Sequence, residues 1–241
     1  MRGHFVKQGG KLQMPDKEKK VIIFIVEGPS DEGAIGSIVK EYFSSSEVKF
    51  HVIHGDITAR GSVNSDTIIK RINDCMEDVK TKYRYTDEDI LKVIHLSDLD
   101  GAFVTAENVI QKKSGPTVYY TDHIETSNVG SLIKRNQLKS ELLYKLSATG
   151  KINEVPYRIY YMSCNLEHVL FNELREFSSE EKWEYSDTFA ERFEGKPEEF
   201  IEFLGKNQVA VDGTYKETWD FIQEGENSLN RFTNFQLAFQ G

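Results

Sequence analysis

The chain has 241 residues, with 30 Lys+Arg against 39 Asp+Glu and a formal net charge of −9. That balance excludes a basic protein held on nucleic acid by its overall field, so any phosphate contact must be local or run through a metal ion. An apolar content of 39% is modest, but 12% aromatic residues, with 15 Phe and 11 Tyr, supply enough bulk for a real core and argue against a disordered chain. The length suits one large domain, or one domain with an elaborated second lobe.

Cys75 and Cys164 are too few and too isolated for a disulfide framework or a thiolate zinc site, which points to a reducing, cytoplasmic setting. The longest apolar run, Val21 to Val26, falls far short of the ~20 residues of a membrane helix, and no membrane role is expected. Residues 1–19 carry several basic residues but no apolar stretch, and read as a flexible extension rather than a signal peptide.

Lys20 to Val26 is apolar on both faces, as in a buried parallel strand, and ends at Glu27-Gly28-Pro29-Ser30. Ile35, Ile38, Val39, Tyr42 and Phe43 then form one stripe of a helix, with Pro29 and Ser30 suited to its first turn. Lys49 to Ile53 is a second strand, Gly55 to Ser65 a polar loop, and Ile68, Ile69, Ile72, Met76 and Val79 mark a second helix. Leu91 to Leu96 is a third strand, running into Ser97-Asp98-Leu99-Asp100-Gly101. Thr117 to Thr121 suggests a strand, and Leu132, Ile133, Leu142, Leu143 and Leu146 a helix. Tyr157 to Met162 is a fourth main strand, followed by a helix expected over Asn165 to Phe177. From residue 178 onward, acidic aromatic helices read as a cover or partner surface. The alternation predicts an α/β fold with right-handed crossovers and a parallel sheet flanked by helices.

Three acidic positions stand where strands end. Glu27 follows the first, Asp98 and Asp100 follow the third, and Glu167 lies in the first helical turn after the fourth. Carboxyl ends of parallel strands share one sheet edge, where such folds bind ligands, so these groups should converge. Their repulsion would be relieved by a hard divalent cation, and an all-oxygen set favours Mg²⁺ or Mn²⁺. Asp31, four residues after Glu27, would join a second metal position, since two ions roughly 4 Å apart can clamp the attacking and leaving oxygens of a phosphodiester. A bound water would be the nucleophile.

This order of acids resembles the TOPRIM domain shared by topoisomerases, bacterial primases, small ribonucleases and nucleases of the overcoming-lysogenization-defect (OLD) class. The segment IIFIVEGPSDEGAIGSIVKEYF is most similar to OLD-type and RloB-like members, and MSCNLEHVLFNE to their strand-turn-helix with a later acid. The resemblance spans residues 20–177, with an insertion over about 102–156 and a C-terminal mostly helical lobe over 178–241. It implies a Mg²⁺-dependent nuclease acting on DNA or RNA, of the kind used in defence against phage. Glu27, Asp31, Asp98, Asp100 and Glu167 would bind metal, with Glu27, Asp98 and Asp100 catalytic. No Walker A pattern occurs, so a motor would be a separate ATPase chain or other protein partner.

No lysine is assigned to the developing charge on phosphate. Lys134, Arg135 and Lys139 form the nearest basic stripe, a candidate nucleic-acid contact or an ordinary solvated helix face. Asp98-Leu-Asp-Gly also resembles the first motif of haloacid-dehalogenase-type phosphatases, with Asp98 as nucleophile and Asp100 as acid/base. That motif usually opens its fold, whereas here a strand-helix-strand-helix passage precedes it. A non-catalytic TOPRIM binding subunit is the third reading. His51, His54, His95, His123 and His168 lack metal-ligand spacing, and His95, inside an apolar strand, is expected to be a hydrogen-bonded core residue. Cys164 has no identifiable His partner and is not assigned as a nucleophile.

Overall fold

The structure, a computed structural model, describes residues 20–58, 63–206 and 208–240. The expected N-terminal extension, residues 1–19, lies outside them, as do four residues of the polar loop expected over Gly55 to Ser65.

The first unit is the expected strand, turn and helix. Strand β1 (Val21–Val26) is buried along its whole length, because helices cover both faces of its sheet. Helix α1 (Pro29–Tyr42) starts with Pro at its first position and Asp31 in its first turn, and buries Ala34, Ile35, Ile38 and Val39. Strand β2 (Glu47–Val52), helix α2 (Ile68–Tyr83) and strand β3 (Ile90–Asp98) follow. Strands β4 (Val109–Gln111), β5 (Val118–Tyr119) and β6 (Ile124–Thr126) make a separate three-stranded sheet ordered β4-β6-β5, and helix α3 (Val129–Ser147) leads back. Strand β7 (Lys151–Ile152) turns into β8 (Val155–Met162). The C-terminal part holds helices α4 (Leu166–Phe171), α5 (Ser179–Arg192), α6 (Pro197–Leu204) and α7 (Tyr215–Ile222).

The main sheet runs β2-β1-β3-β8-β7. Its first four strands are parallel, with Ile25 paired to His95 and His95 to Ile159, and β7 is antiparallel on β8. One face carries Ile23, Ile25, Val93, Tyr157 and Ile159 against Ile72 and Met76 of α2, Leu142 and Leu143 of α3, and Trp219 of α7. The other carries Ile22, Phe24, Ile94 and Met162 against Ile35 and Ile38 of α1, Phe189 of α5, Phe200 of α6 and the C-terminal turn at Phe235 and Phe239. The C-terminal segment therefore contributes to both faces, through Trp219 on one and Phe189, Phe200 and Phe235 on the other. Thr233 bridges to Met162 and Ala210, and Asn234 Oδ1 accepts from the Tyr161 backbone N–H at 3.0 Å.

The helix expected over Asn165 to Phe177 is shorter. Asn165 caps its start, its Oδ1 accepting from His168 N at 2.9 Å, but Asn172 takes a left-handed φ of 61° and ends α4 at Phe171. Leu174, which completes the apparent apolar stripe, lies beyond that stop. The strand expected over Thr117 to Thr121 is confined to Val118–Tyr119. No helix among the described residues is long and apolar enough to cross a membrane.

Candidate functional site

The carboxyl ends of β1, β3 and β8 bring the predicted acids to one edge of the sheet. Side chains alternate along a strand, so Glu27 and Ser97 fall toward the α2/α3 face and Asp98 toward the α1/α5 face. Glu27 Oε1 accepts from Ser97 Oγ at 2.9 Å and from the Asp98 backbone N–H at 3.1 Å, tying the end of β1 to the end of β3. Beyond Asp98, the Leu99 backbone N–H donates to Met162 O at 3.1 Å and that of Asp100 to Cys164 O at 2.7 Å. Asp100 (φ 47°) and Gly101 (φ 63°) are both left-handed, a turn that needs a short polar residue followed by glycine. A Cβ on Gly101 would lie 2.6 Å from Leu229 Cδ2, so the turn is also tightly packed.

On the α2/α3 face, Lys139 of α3 is fully buried, its Nζ 2.7 Å from Asp100 Oδ2 and 2.8 Å from Asp56 Oδ2. Asp56 is fixed by the backbone N–H of Thr58 at 2.7 Å and by the Thr58 hydroxyl. Arg135, one turn earlier on α3, donates from Nη2 to Asp100 O at 2.7 Å and from Nη1 to Tyr119 Oη at 3.2 Å. On the α1/α5 face, Asp31 Oδ2 accepts from the Gly28 N–H at 2.8 Å. Glu167, buried at the second position of α4, meets Lys182 Nζ of α5 at 2.6 Å. Ser186, one turn after Lys182, donates to Ser30 O at 2.9 Å and anchors α5 over the start of α1.

Six carboxyl groups, Glu27, Asp31, Asp56, Asp98, Asp100 and Glu167, thus share an electrostatic neighbourhood with three cations, Arg135, Lys139 and Lys182. Burial, followed by Glu27, Asp31, Glu167 and Asp100, pushes the Asp98 carboxyl well above its usual range. Burial raises Glu27 to about 8 against the opposing pull of Lys139, with Asp56 and Asp100 adding to the rise. Burial and the Glu167 charge raise Asp31 to about 6, although the Gly28 N–H opposes them. Asp56 goes the other way: burial works to raise it, but Lys139 and Thr58 outweigh burial and hold it below the ordinary carboxylate range. Lys139 is raised in turn because Asp100, Glu27 and Asp56 outweigh the burial that opposes its charge.

Among the described residues, no three His, Cys, Asp or Glu side chains are grouped so as to hold a metal ion as they stand. Their oxygens are turned to other partners: Glu27 to Ser97 and the Asp98 amide, Asp31 to Gly28, Asp100 to Lys139 and Glu167 to Lys182. The donor set is nevertheless all oxygen, and six carboxyls face three cations, so full ionisation of the cluster would leave an excess of negative charge that Mg²⁺ or Mn²⁺ could offset. Ligation by Asp100 and Glu167 would take rotation of their carboxylates away from the two lysines.

The basic stripe does not exist as one surface. Lys134 is exposed, Arg135 half-buried and Lys139 buried, because residues 135 and 139 are four apart and share the inward side of α3, whereas 134 is rotated about 100° away. Lys139 belongs to the carboxylate cluster and cannot meet nucleic acid as a solvated side chain. Three contributors lay outside the sequence reading: Asp56, in the polar loop; Lys182, among the acidic helices read as a cover; and Ser97 as the donor to Glu27. A signal for Lys139 was present, since it falls in register with the buried Leu132, Asn136, Leu143 and Leu146. His95 is buried with Nδ1 2.8 Å from Tyr157 Oη, as expected of a core histidine. Cys164 is buried, and burial and the nearby Asp100 and Asp98 push its thiol well up, unlike an activated nucleophile.

Comparisons of the chain with protein-family models, with curated proteins and with solved structures gave no match.

Proposed function

We propose that this chain is a metal-dependent nuclease of the TOPRIM type, hydrolysing phosphodiester bonds with Mg²⁺ or Mn²⁺. The observation that carries this reading is the delivery of Glu27, Asp98 and Asp100 from the ends of two adjacent parallel strands, with Asp31 and Glu167 close enough to act on Asp98 electrostatically. Carboxyls that burial and mutual repulsion push upward, as they do Glu27, Asp31 and Asp98, are poorly explained as surface acids. They are the state expected of a cation site before the cation enters.

Glu27, Asp98 and Asp100 would hold the first ion, and Asp31 and Glu167 would complete a second position. When bound, the metal supplies an activated water and stabilises charge on the phosphate oxygens. The chain's own residues set that geometry. Ser97 and the Asp98 amide fix one Glu27 oxygen, so the carboxylate enters ligation already oriented. Lys139 is a positioning residue: buried and shared between Asp56 and Asp100, it holds the Asp100 turn against α3 and keeps the cluster from unbalanced repulsion. Lys182 is partly exposed, with 42% of its side-chain surface accessible, so it can leave Glu167 and meet a phosphate oxygen when that carboxylate is taken up by metal.

Purified chain incubated with plasmid, single-stranded DNA and tRNA in Mg²⁺, Mn²⁺ or EDTA tests this. Cleavage should require metal and vanish in Asp98→Asn and Glu27→Gln. Folded protein that cuts none of them, or metal-independent cleavage that survives both substitutions, would overturn the reading.

A further inference from the structure

A cavity of about 620 Å³ opens beside the Glu167–Lys182 pair. Tyr119 of β5 lines it from the inserted sheet, and Arg175, Glu176 and Phe177 line it from the irregular segment that follows α4. The Arg175 guanidinium lies 3.9 Å from the Phe177 ring centroid and is held in place by Glu173 at 2.7 Å and Glu181 at 2.9 Å. Tyr185 meets the same ring edge-on at 5.1 Å. Tyr119 is anchored too, through the Arg135 that binds the Asp100 carbonyl. The lining therefore contains two pre-positioned aromatic rings, Tyr119 and Phe177, the latter with Arg175 already over one face, and at one end stands Glu167, the member of the acidic cluster that reaches the cavity.

We propose that this cavity receives the base of an unpaired nucleotide whose phosphate lies at the carboxylate cluster, so that the substrate is a single-stranded or locally melted segment. The proposal rests on the nuclease reading of the cluster and names its substrate class. The charges of the cavity divide it in two. At the Glu167 end, Lys182 and a metal ion would receive phosphate. Elsewhere in the lining the charge of Arg175 is already matched by Glu173 and Glu181, and Glu176 adds a carboxylate, which repels phosphate but accepts from the N–H edge of a base. Aromatic rings stack with any base, so the pocket would favour unpaired nucleotides without reading sequence strongly. A base in a duplex would first have to leave its stack.

The test uses a short single-stranded oligonucleotide containing 2-aminopurine, titrated against the protein in Ca²⁺ and in EDTA so that binding is read without cleavage. Stacking should quench its fluorescence. Phe177→Leu keeps apolar bulk but removes the ring, and should relieve the quench and weaken binding by roughly 5- to 100-fold, whereas Phe177→Trp should retain both. On wild-type protein, replacing the bases by abasic residues or annealing a complement should weaken binding comparably, a comparison that needs no variant to fold. Wild-type binding indifferent to base removal and to pairing would overturn the proposal. Cleavage with such indifferent binding removes the pocket and leaves the nuclease, whereas base-dependent quenching without any cleavage removes the nuclease and leaves the pocket.

Discussion

The Nζ of Lys139, in the middle of α3, lies 2.7 Å from Oδ2 of Asp100, just past the end of β3, and no solvent-accessible surface remains on the lysine side chain. A buried ammonium is stable only when its charge is met, and Asp56 completes the match at 2.8 Å. Removing the cation should leave two carboxylates facing each other. Lys139→Met is expected to cost about 3–5 kcal/mol in urea denaturation. Lys139→Met combined with Asp56→Asn should recover part of that loss, and purely additive effects would show that the pair is not coupled.

Asp98 is the most crowded acid, with Glu27, Asp31, Glu167 and Asp100 all disfavouring its charge. Near neutral pH, Asp98→Asn should therefore raise the melting temperature of the metal-free protein by roughly 2–8 °C, the shift expected for about 1–2 kcal/mol in a chain of this size. Mn²⁺ should stabilise wild type and do little for the variant. A thermal scan with and without the ion decides the point, and equal Mn²⁺ shifts in both proteins would count against Asp98 as a ligand.

His95 gives the acid side of the stability profile. It is fully buried, Nε2 has no partner among the described residues, and burial lowers its pKa to about 3. The folded value lies below the unfolded one, ~6.5, so above that pH both states are neutral and nothing is lost. As pH falls from ~6.5 toward 3, the unfolded chain binds a proton that the folded chain refuses, and stability drops. Between about pH 7 and pH 4 wild type should lose about 3 kcal/mol more than His95→Gln, a difference that separates this group from the titrating carboxylates. Parallel denaturant curves for both proteins would disprove the assignment.

Gly101→Ala should cost about 1–3 kcal/mol. Its Cβ would meet Leu229 Cδ2 at 2.6 Å and Ile124 Cδ1 at 2.9 Å while φ stays at 63°. Because Asp100 precedes it in the same turn, metal binding by Gly101→Ala should weaken as well, measurable by calorimetric titration with Mn²⁺. Unchanged stability would mean that the turn relaxes freely.

The sheet was legible because β1 and β3 are apolar on both faces and α1 and α2 repeat at helical spacing, and the acids were legible because each stands at a strand end, in the turn just past it or in the first helical turn that follows. What could not be read was the partner of each charge. Lys139 and Arg135 look like a surface stripe until α3 is placed, and their inward side shows only when they are counted in register with Leu132 and Leu143. Asp56 and Lys182 are remote in sequence from the residues they meet, so no local pattern announces them. The short α4 was missed because Asn172 stops the helix by its backbone conformation while the apolar spacing runs on to Leu174.

The central claim is that Glu27, Asp98 and Asp100 form a divalent-cation site, and the most direct measurement is anomalous X-ray scattering from crystals of the protein grown or soaked with Mn²⁺. A peak bounded by these three carboxylates, with Asp100 turned away from Lys139, is the expected result, and a second peak between Asp31 and Glu167 would show the paired arrangement. Well-ordered crystals with no manganese at this edge of the sheet, or with the ion bound only elsewhere, would contradict it.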